Sequence, residues 1–544
     1  MTGDVMGRLS RRDVLRMGAA AGSLALAGPL LAACGTSSQP TGGGGATKKG
    51  GTMTGAFDEG PGGQPEIFNP LTVTAGATWL QTYYTPLLRY DIKFQKQVPA
   101  LAQSWSVSSD ARQYTFKLRK GVLWHDGQPF TSADAKFTLE LAVNPASASV
   151  IGKNLPPISS IESPDDATLV VKLDTPDVTV LNTLTTLVML PKHALSQFSA
   201  SDLVKSDWWR TKPVGTGPFQ WSSYTPGQFT ELAAFDKYMD GRPKLDKLIN
   251  RYFTEPGSAV IALRKGDIQY DYLSLDDAQA IMNDSKFRVI TASSMVVNYL
   301  GFNLHQARFQ NLKVRQAFLH AIDRKTIIQR LYKGGATLVN GPYDNPKYQD
   351  KNAESYDYDV SKAKQLLKDA SWDSIKGAPI EILSYYTDQL STSVLTTFQQ
   401  LLGKAGISVT IRQVDSPTFQ SITNSGKFDM FFGGRTNGPD PDSIRTAFIS
   451  TATPPSGQNY IGLNIPALDQ LLTKGRQEVD ATERASTYQQ VYKLFSEQLP
   501  IAPMWVAKRY GGVSANVKNF VWAPVSNDFY QANWQDWGLA ATSS

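Results

Sequence analysis

The stretch Leu395-Thr-Thr-Phe-Gln-Gln-Leu-Leu-Gly-Lys-Ala-Gly-Ile-Ser-Val-Thr-Ile411 indicates the fold class of this chain. Its first half has the composition of a helix, which Gly403 or Gly406 can end because glycine suits the position after the last helical turn. The last five residues alternate apolar and polar side chains, which is typical of a half-buried strand. A helix, a glycine stop and a strand in succession predict an α/β protein.

Other segments show the same two periodicities. Residues 114–118 and 169–173 alternate apolar and polar side chains, and each predicts a strand. Asp359 can cap a helix whose apolar face runs from Val360 to Ala370 at helical spacing. Clusters of glycine and proline at 213–218 and 438–441 predict turns between such elements.

Composition excludes several classes of protein. The 544 residues are 41% hydrophobic, which is enough for more than one core. Cys34 is the single cysteine, so the fold cannot depend on disulfides. The formal net charge is +6, and no basic run is interleaved with aromatic residues, so we expect no nucleic-acid partner.

The first fifty residues predict export. Arg11 and Arg12 precede a weakly apolar run that ends in Leu31-Ala-Ala-Cys34, and a stretch rich in glycine, serine and threonine follows. Paired arginines before such a run resemble a twin-arginine signal, and Leu-Ala-Ala-Cys resembles the lipobox of bacterial lipoproteins. The run of roughly 15 residues is shorter than the roughly 20 that span a membrane. A buried amphipathic helix is the alternative interpretation.

The export interpretation divides this region into two parts. Residues 1–33 would be the signal peptide, and residues 34–50 the lipidated cysteine with a flexible tether. We expect the mature protein to be anchored by Cys34 to the outer face of the cytoplasmic membrane, which is periplasmic where an outer membrane exists.

The body contains several short blocks in a fixed order: Leu101-Ala-Gln-Ser-Trp105, Tyr114 to Arg119, Trp124-His-Asp-Gly127, Pro213 to Phe219, Gly301-Phe-Asn303, Val314 to Phe318, Ala321 to Arg324, Tyr358 to Leu367 and Glu497-Gln-Leu-Pro500. Together these blocks resemble the signature of extracellular solute-binding proteins of the peptide/nickel class, family 5, the receptors of ATP-driven (ABC) importers.

The resemblance implies a two-lobed periplasmic-binding-protein fold of type II, in the large cluster C form, with an extra small domain and a hinge. Lobe I would comprise residues 50–82, 190–296 and 511–544, and its extra domain residues 83–189. Lobe II would comprise residues 297–510. The hinge crossings would lie near 296–301 and 507–512, and closure of the lobes would trap the solute.

In peptide-binding relatives of this class, a carboxylate four residues before the proline of an acidic-Pro pair holds the ligand amine. This chain has Asn437 at that position, and Gly434 where the relatives have tryptophan. Asn437 brings no negative charge, Gly434 is expected to leave room, and Arg435 offers a fork suited to carboxylate or phosphate. An alternative is that Arg435 faces solvent while Asp440 or Asp442 takes the amine.

Further ligand-binding candidates follow from family position. From lobe I these are Asp58-Glu59-Gly60 and the loop 74–79, which includes Thr78 and Trp79; Glu59 could supply the missing charge. From lobe II they are the residues that flank the Gly301 block or follow a predicted strand: Asn298, Tyr299, Tyr385, Tyr386 and Thr436. The aromatic members of this set could equally be core residues.

The residues also predict what the protein lacks. Its four histidines are widely separated, and no phosphate loop or nucleophile elbow is present, so we expect neither a metal site nor a cofactor, and no enzyme activity. The leading hypothesis is a monomeric receptor that passes a peptide to a permease with a separate ATPase. The rivals are a receptor for an oligosaccharide or opine-like conjugate, and a secreted hydrolase.

Overall fold

The structure is a computed structural model, and it describes residues 47–57, 68–73, 79–455, 457–525 and 528–541. The predicted signal peptide and lipidation site, with Arg11, Arg12 and Cys34, lie outside these residues. Within the described ranges, no helix combines the length and the apolar content needed to cross a membrane.

Over the described residues the chain forms 21 strands. They are β1 (Thr52–Phe57), β2 (Leu88–Tyr90), β3 (Gln97–Pro99), β4 (Ala102–Val107), β5 (Gln113–Leu118), β6 (Ile158–Asp165), β7 (Thr168–Leu173), β8 (Phe219–Thr225), β9 (Phe229–Ala234), β10 (Lys247–Tyr252), β11 (Tyr270–Leu273), β12 (Phe287–Phe302), β13 (Ala336–Leu338), β14 (Ile380–Ser384), β15 (Val409–Gln413), β16 (Met430–Thr436), β17 (Ile501–Ser514), β18 (Val517–Lys518), β19 (Val521–Val525), β20 (Asp528–Ala532) and β21 (Gly538–Leu539).

The same residues form 17 α-helices. They are α1 (Ser132–Val143), α2 (Val180–Thr183), α3 (Lys192–Leu195), α4 (Ala200–Val204), α5 (Trp208–Thr211), α6 (Pro256–Lys265), α7 (Leu275–Ile281), α8 (Ala307–Gln310), α9 (Leu312–Ala321), α10 (Arg324–Arg330), α11 (Val360–Asp369), α12 (Trp372–Ile375), α13 (Gln389–Lys404), α14 (Ser416–Asn424), α15 (Arg445–Phe448), α16 (Pro466–Gln477) and α17 (Ala481–Gln498). Short 3-10 helices cover Trp79–Thr82, Pro145–Ser147, Gly152–Asn154, Pro441–Ile444 and Trp534–Asp536.

An eleven-stranded mixed sheet organises the protein. Its order is β15-β14-β16-β12-β17-β11-β1-β10-β9-β8, and β13 pairs with β17 off this path. Strands β12 and β17 are antiparallel neighbours at its centre. We call β1 and β8–β11 the β1 half of the sheet, and β14–β16 the β16 half. Helices alternate with strands along the chain, so the α/β prediction is confirmed.

A second, four-stranded antiparallel sheet has the order β4-β5-β7-β6, and we call it the small sheet. Strands β5 and β7 are the two strands predicted from residues 114–118 and 169–173. Their apolar side chains face one continuous core that includes Phe116, Leu169 and Trp124 together with Leu248 of the β1 half. The small sheet and the β1 half are therefore packed as one hydrophobic unit.

The predicted helix after Asp359 is confirmed as α11, and the Asp359 side chain accepts a hydrogen bond from the Lys362 backbone N–H. The helix predicted before Gly403 is α13, but it continues through Gly403 to Lys404. The helix stop is Gly406, whose φ of 86° lies in the left-handed region that glycine adopts without steric cost.

Two irregularities interrupt the pairing of β12 with β17. The register shifts between Ser293 and Val297, and again between Asn298 and Tyr299. Met295, inside the first interruption, has a φ of 54°, an uncommon value for a residue other than glycine. The two central strands thus carry a local deformation where they pass from the β1 half to the β16 half.

The β16 half has its own core around Phe398 of α13. This side chain is fully buried, and its ring centroid lies 5.2 Å from that of Phe432 in β16 and 6.0 Å from that of Trp505 in β17. The helix predicted from the first quoted stretch is thereby fixed to the centre of the sheet.

We predict that Phe398→Ala lowers the free energy of unfolding by about 3–5 kcal/mol, because it removes a fully buried ring and leaves a cavity. Chemical denaturation followed by tryptophan fluorescence measures this change. Gln400→Ala, at an exposed position of the same helix, is the matched control and should leave the stability within about 0.5 kcal/mol. Equal stabilities of the two variants would contradict the packing described here.

Candidate functional site

The loops that follow β14 and β16 meet at one edge of the sheet. The two strands are parallel neighbours, with Ile382 opposite Met430 and Ser384 opposite Phe432, so their carboxyl ends point the same way. In α/β sheets such an edge is the usual location of ligands. Tyr385 follows β14, and its hydroxyl lies 3.3 Å from both the amide nitrogen and the carbonyl oxygen of Gly434.

Gly434 does not leave the empty space expected from the sequence. A Cβ atom at this position would clash with the Tyr386 hydroxyl and would lie 2.6 Å from Cγ1 of Val296. The space that a larger side chain would take is filled by protein atoms. Glycine at this position lets Tyr386 and β12 approach the backbone of β16.

Asn298 belongs to the same cluster, and Tyr299 does not. Asn298 lies opposite Gly434 in the β12–β16 pairing, and its Nδ2 donates a hydrogen bond to the Tyr386 hydroxyl at 3.1 Å. Tyr299 is only 8% exposed and packs edge-on against Phe431 in a hydrophobic core. We call Asn298, Tyr385, Tyr386 and Gly434 the tyrosine cluster.

Arg435 is half-buried, and its guanidinium donates hydrogen bonds to protein groups that follow β16 in the chain. Its Nη1 donates to Gln458 Oε1 at 2.6 Å, and its Nη2 donates to the Ser443 carbonyl oxygen at 2.6 Å and to Thr446 Oγ1 at 2.5 Å. All of these acceptors are neutral, and no carboxylate of the described residues pairs with the guanidinium. Burial lowers the pKa of Arg435 from its ordinary value. Its buried Nε has no hydrogen-bond partner among the residues that the structure describes.

Asn437 is fixed at the end of β16 by two hydrogen bonds. Its Nδ2 donates to the Pro342 carbonyl oxygen, and its backbone N–H donates to the Met295 carbonyl oxygen, both at 2.8 Å. The side chain is 2% exposed, and no hydrogen-bond donor in the described ranges reaches its buried Oδ1. A carboxylate at position 437 would lose the donor and face the Pro342 carbonyl oxygen. Thr436, the residue before it, is exposed.

The two aspartates proposed as alternatives to Asn437 already have protein partners. Asp440 accepts two hydrogen bonds from Arg484, at 2.7 and 2.8 Å. Burial alone would raise the pKa of Asp440, but Arg484 outweighs it and holds the pKa below its ordinary value. Asp442 accepts from the Tyr488 hydroxyl at 2.7 Å, and burial raises its pKa to about 6. An amine ligand would have to displace these contacts.

Of the candidates expected from lobe I, only Trp79 is described, and Glu59, Gly60 and Thr78 lie outside the described residues. Trp79 is 5% exposed, and its ring meets that of Tyr83 edge-on at a centroid distance of 5.7 Å. The structure therefore places Trp79 in the core that the β1 half shares with the small sheet.

Asp177 and Arg476 form a contact that no motif in the chain predicts. Asp177 follows the small sheet, and its Oδ2 lies 2.5 Å from Nε of Arg476 at the end of α16. The Val178 backbone N–H also donates to the Arg476 carbonyl oxygen at 2.9 Å. Single charged residues far apart in the chain carry no pattern from which such a pairing could have been found.

A groove of about 1190 Å³ lies elsewhere, along the small sheet. Its lining includes Lys117, Arg119, Lys120, Asp165 and Asp166, and it contains none of the predicted binding residues. It is open, and its charges are of both signs, so we assign no ligand to it. Among the described residues, no group of three or more histidine, cysteine, aspartate or glutamate side chains is arranged to hold a metal ion.

Comparison with known proteins gives consistent results. Residues 96–455 match the family described as "Bacterial extracellular solute-binding proteins, family 5 Middle". A Brucella ovis protein with the provisional name ABC transporter peptide-binding protein is 45% identical over 496 residues, which are 90% of this chain and 94% of the relative. The oligopeptide-binding protein AppA of Bacillus subtilis is 26% identical over 88% of this chain and 90% of its own length.

Among solved structures, the ABC transporter substrate-binding protein CtaP of Listeria monocytogenes superposes with a TM-score of 0.82 at 26% identity. The match covers 91% of this chain and all of the CtaP chain. This confirms the two-lobed α/β fold expected from the sequence. The chain belongs to family 5 of the bacterial extracellular solute-binding proteins.

Proposed function

We propose that this protein captures peptides outside the cytoplasm and delivers them to the permease of an ABC importer, whose separate ATPase supplies the energy. The observation that carries the proposal is the 45% identity, over nine tenths of the chain, to a relative named for peptide binding. AppA, similar over 88% of the chain, is named for oligopeptides.

The geometry at the sheet edge suits a peptide backbone. The tyrosine cluster presents phenol and amide groups beside the exposed end of β16, and such neutral groups can hydrogen-bond to peptide amides. The aspartates of the 437–442 loop are paired within the protein. We therefore infer that the solute is bound by hydrogen bonds and leaves chemically unchanged, as a receptor requires and a hydrolase does not.

Native mass spectrometry of the protein purified from its host tests this function. We predict that peptides co-purify and that they dissociate unaltered after prolonged incubation. A second candidate ligand is an acidic non-peptide conjugate, which the half-buried Arg435 favours because no carboxylate of the described residues neutralises it. Recovery of sugars or acidic conjugates without peptides would reject the peptide assignment, and hydrolysis of the bound molecule would reject the receptor.

We also propose that the protein is a monomer that closes about a hinge at the deformed part of β12. The deformation around Met295 adjoins the crossing expected at 296–301. Lobe I, with its extra domain 83–189, would then rotate against lobe II, residues 297–510. The ion pair of Asp177 with Arg476 links the extra domain to lobe II, so it would form on closure and break on opening.

For Arg476→Gln we predict a shift toward open conformations, because this change removes the ion pair between the two parts. Spin labels are placed at the exposed positions Glu140 and Gln400 in a soluble form without Cys34. Pulsed electron paramagnetic resonance then measures the distance between the two labels. Lys474→Gln is the matched control, since the ion pair that Lys474 forms is with Glu478 of its own lobe. Identical distance distributions for Arg476→Gln and Lys474→Gln would show that the pair does not stabilise closure.

The proposed export and anchoring depend on residues outside the described structure. Arg11 and Arg12 would direct the precursor to the twin-arginine pathway, and Cys34 would carry the lipid. We predict that Cys34→Ala abolishes labelling with a radioactive fatty acid and moves the protein from the membrane to the soluble fraction. Fatty-acid labelling that persists in Cys34→Ala would disprove lipidation at this residue.

A further inference from the structure

Three hydrogen bonds connect Asp344, β12 and Asn437 in a closed ring. Asp344 Oδ2 accepts a hydrogen bond from the Ser293 hydroxyl at 3.0 Å. Two residues further along β12, the Met295 carbonyl oxygen accepts from the Asn437 backbone N–H at 2.8 Å. The Asn437 side chain in turn donates to Pro342, two residues before Asp344, at 2.8 Å. Two residues span at most about 7 Å, so the ring brings Asp344 close to Asn437.

The segment that carries Asp344 is held in place on both sides. The Tyr343 hydroxyl, buried in the core, donates a hydrogen bond to the Tyr488 carbonyl oxygen of α17. Asn345 Nδ2 lies 3.3 Å from the Pro439 carbonyl oxygen, which it can reach as a donor. The carboxylate therefore has a fixed position relative to the 437–442 loop, as a recognition site requires.

Asp344 differs from the other aspartates around this loop because, within the part of the chain that the structure describes, it has no cation beside it. Asp440 pairs with Arg484, and Asp442 has Arg476 at 3.8 Å, but no lysine or arginine of the described residues pairs with Asp344. Its carboxylate accepts hydrogen bonds from the Ser293 hydroxyl and from its own backbone N–H, and neither donor carries a charge. Burial raises the pKa of Asp344, and these two hydrogen bonds only partly offset that effect.

A half-buried carboxylate without a counter-ion is costly unless a positive group joins it. The neutral Asn437 cannot supply or replace that charge, whereas a ligand ammonium beside the ring would complete the pair. We propose that Asp344 is the residue that binds the α-ammonium group of a peptide ligand, in place of a carboxylate at position 437. This inference rests on the proposed peptide-binding function and names the residue that sets its specificity.

Calorimetric titration with short alanine peptides of graded length, each with a free and an N-acetylated amino terminus, tests this inference. We expect wild-type protein to prefer the free amine. Asp344→Asn should weaken binding of the free-amine peptides roughly 100-fold or more and leave the acetylated peptides unchanged, because breaking a buried ion pair has an effect of that size. Asp350→Asn, in the same segment, is the matched control and should behave as wild type.

The possible outcomes separate the inference from the function on which it rests. If the wild type binds free-amine and acetylated peptides equally, the role of Asp344 is overturned while peptide binding stands. The same holds if Asp344→Asn keeps the wild-type preference for the free amine. Equal weakening of free and acetylated peptides would also overturn it, since that result indicates a structural role. If the wild type binds no peptide in either form, the proposed function falls and the inference falls with it.

Discussion

The antiparallel pairing of β12 with β17 is the interaction on which the rest of the structure depends. These two long strands lie at the centre of the eleven-stranded sheet, between its β1 half and its β16 half. On one side β17 pairs with β11, and on the other β12 pairs with β16. The large cores on either side therefore connect through one shared ladder of hydrogen bonds, and the irregular part of that ladder is where the proposed hinge would lie.

The candidate site follows from this arrangement. Since β16 pairs with β12 and β14 pairs with β16, the residues after these strands meet beside the deformation around Met295. There Asn298 donates a hydrogen bond to the Tyr386 hydroxyl, which lies against Gly434. The backbone N–H of Asn437 donates to the carbonyl oxygen of Met295 in β12. Any change in the course of β12 would displace the polar groups of the site together, which couples ligand contacts to lobe movement in the proposed mechanism.

Local patterns predicted the elements well, and they predicted the surroundings of the site residues poorly. Alternation identified β5 and β7, and the Asp359 cap identified α11, because these features depend on near neighbours. The space beside Gly434 could not be predicted, since Tyr386 fills it from the loop after β14. Nor could the neutral partners of Arg435, which lie along a later part of the chain.

The partners of charged side chains were even harder to predict from the sequence than the surroundings of the other site residues. From the sequence, Asp440 and Asp442 were as plausible for an ammonium group as any aspartate, and only tertiary contacts reveal that Arg484 and Tyr488 already engage them. Asp344 stands in no recognisable motif. It is distinguished by the absence of a cation around it within the described residues, a property that only the fold can show.

In the proposed mechanism, two lobes close around a peptide that is later released intact. Small-angle X-ray scattering, with and without a bound peptide and combined with mass spectrometry of the recovered peptide, is the most direct test. We predict a smaller radius of gyration in the presence of peptide and recovery of the peptide unchanged. An unchanged radius with a saturating peptide, or steady appearance of cleavage products, would contradict it.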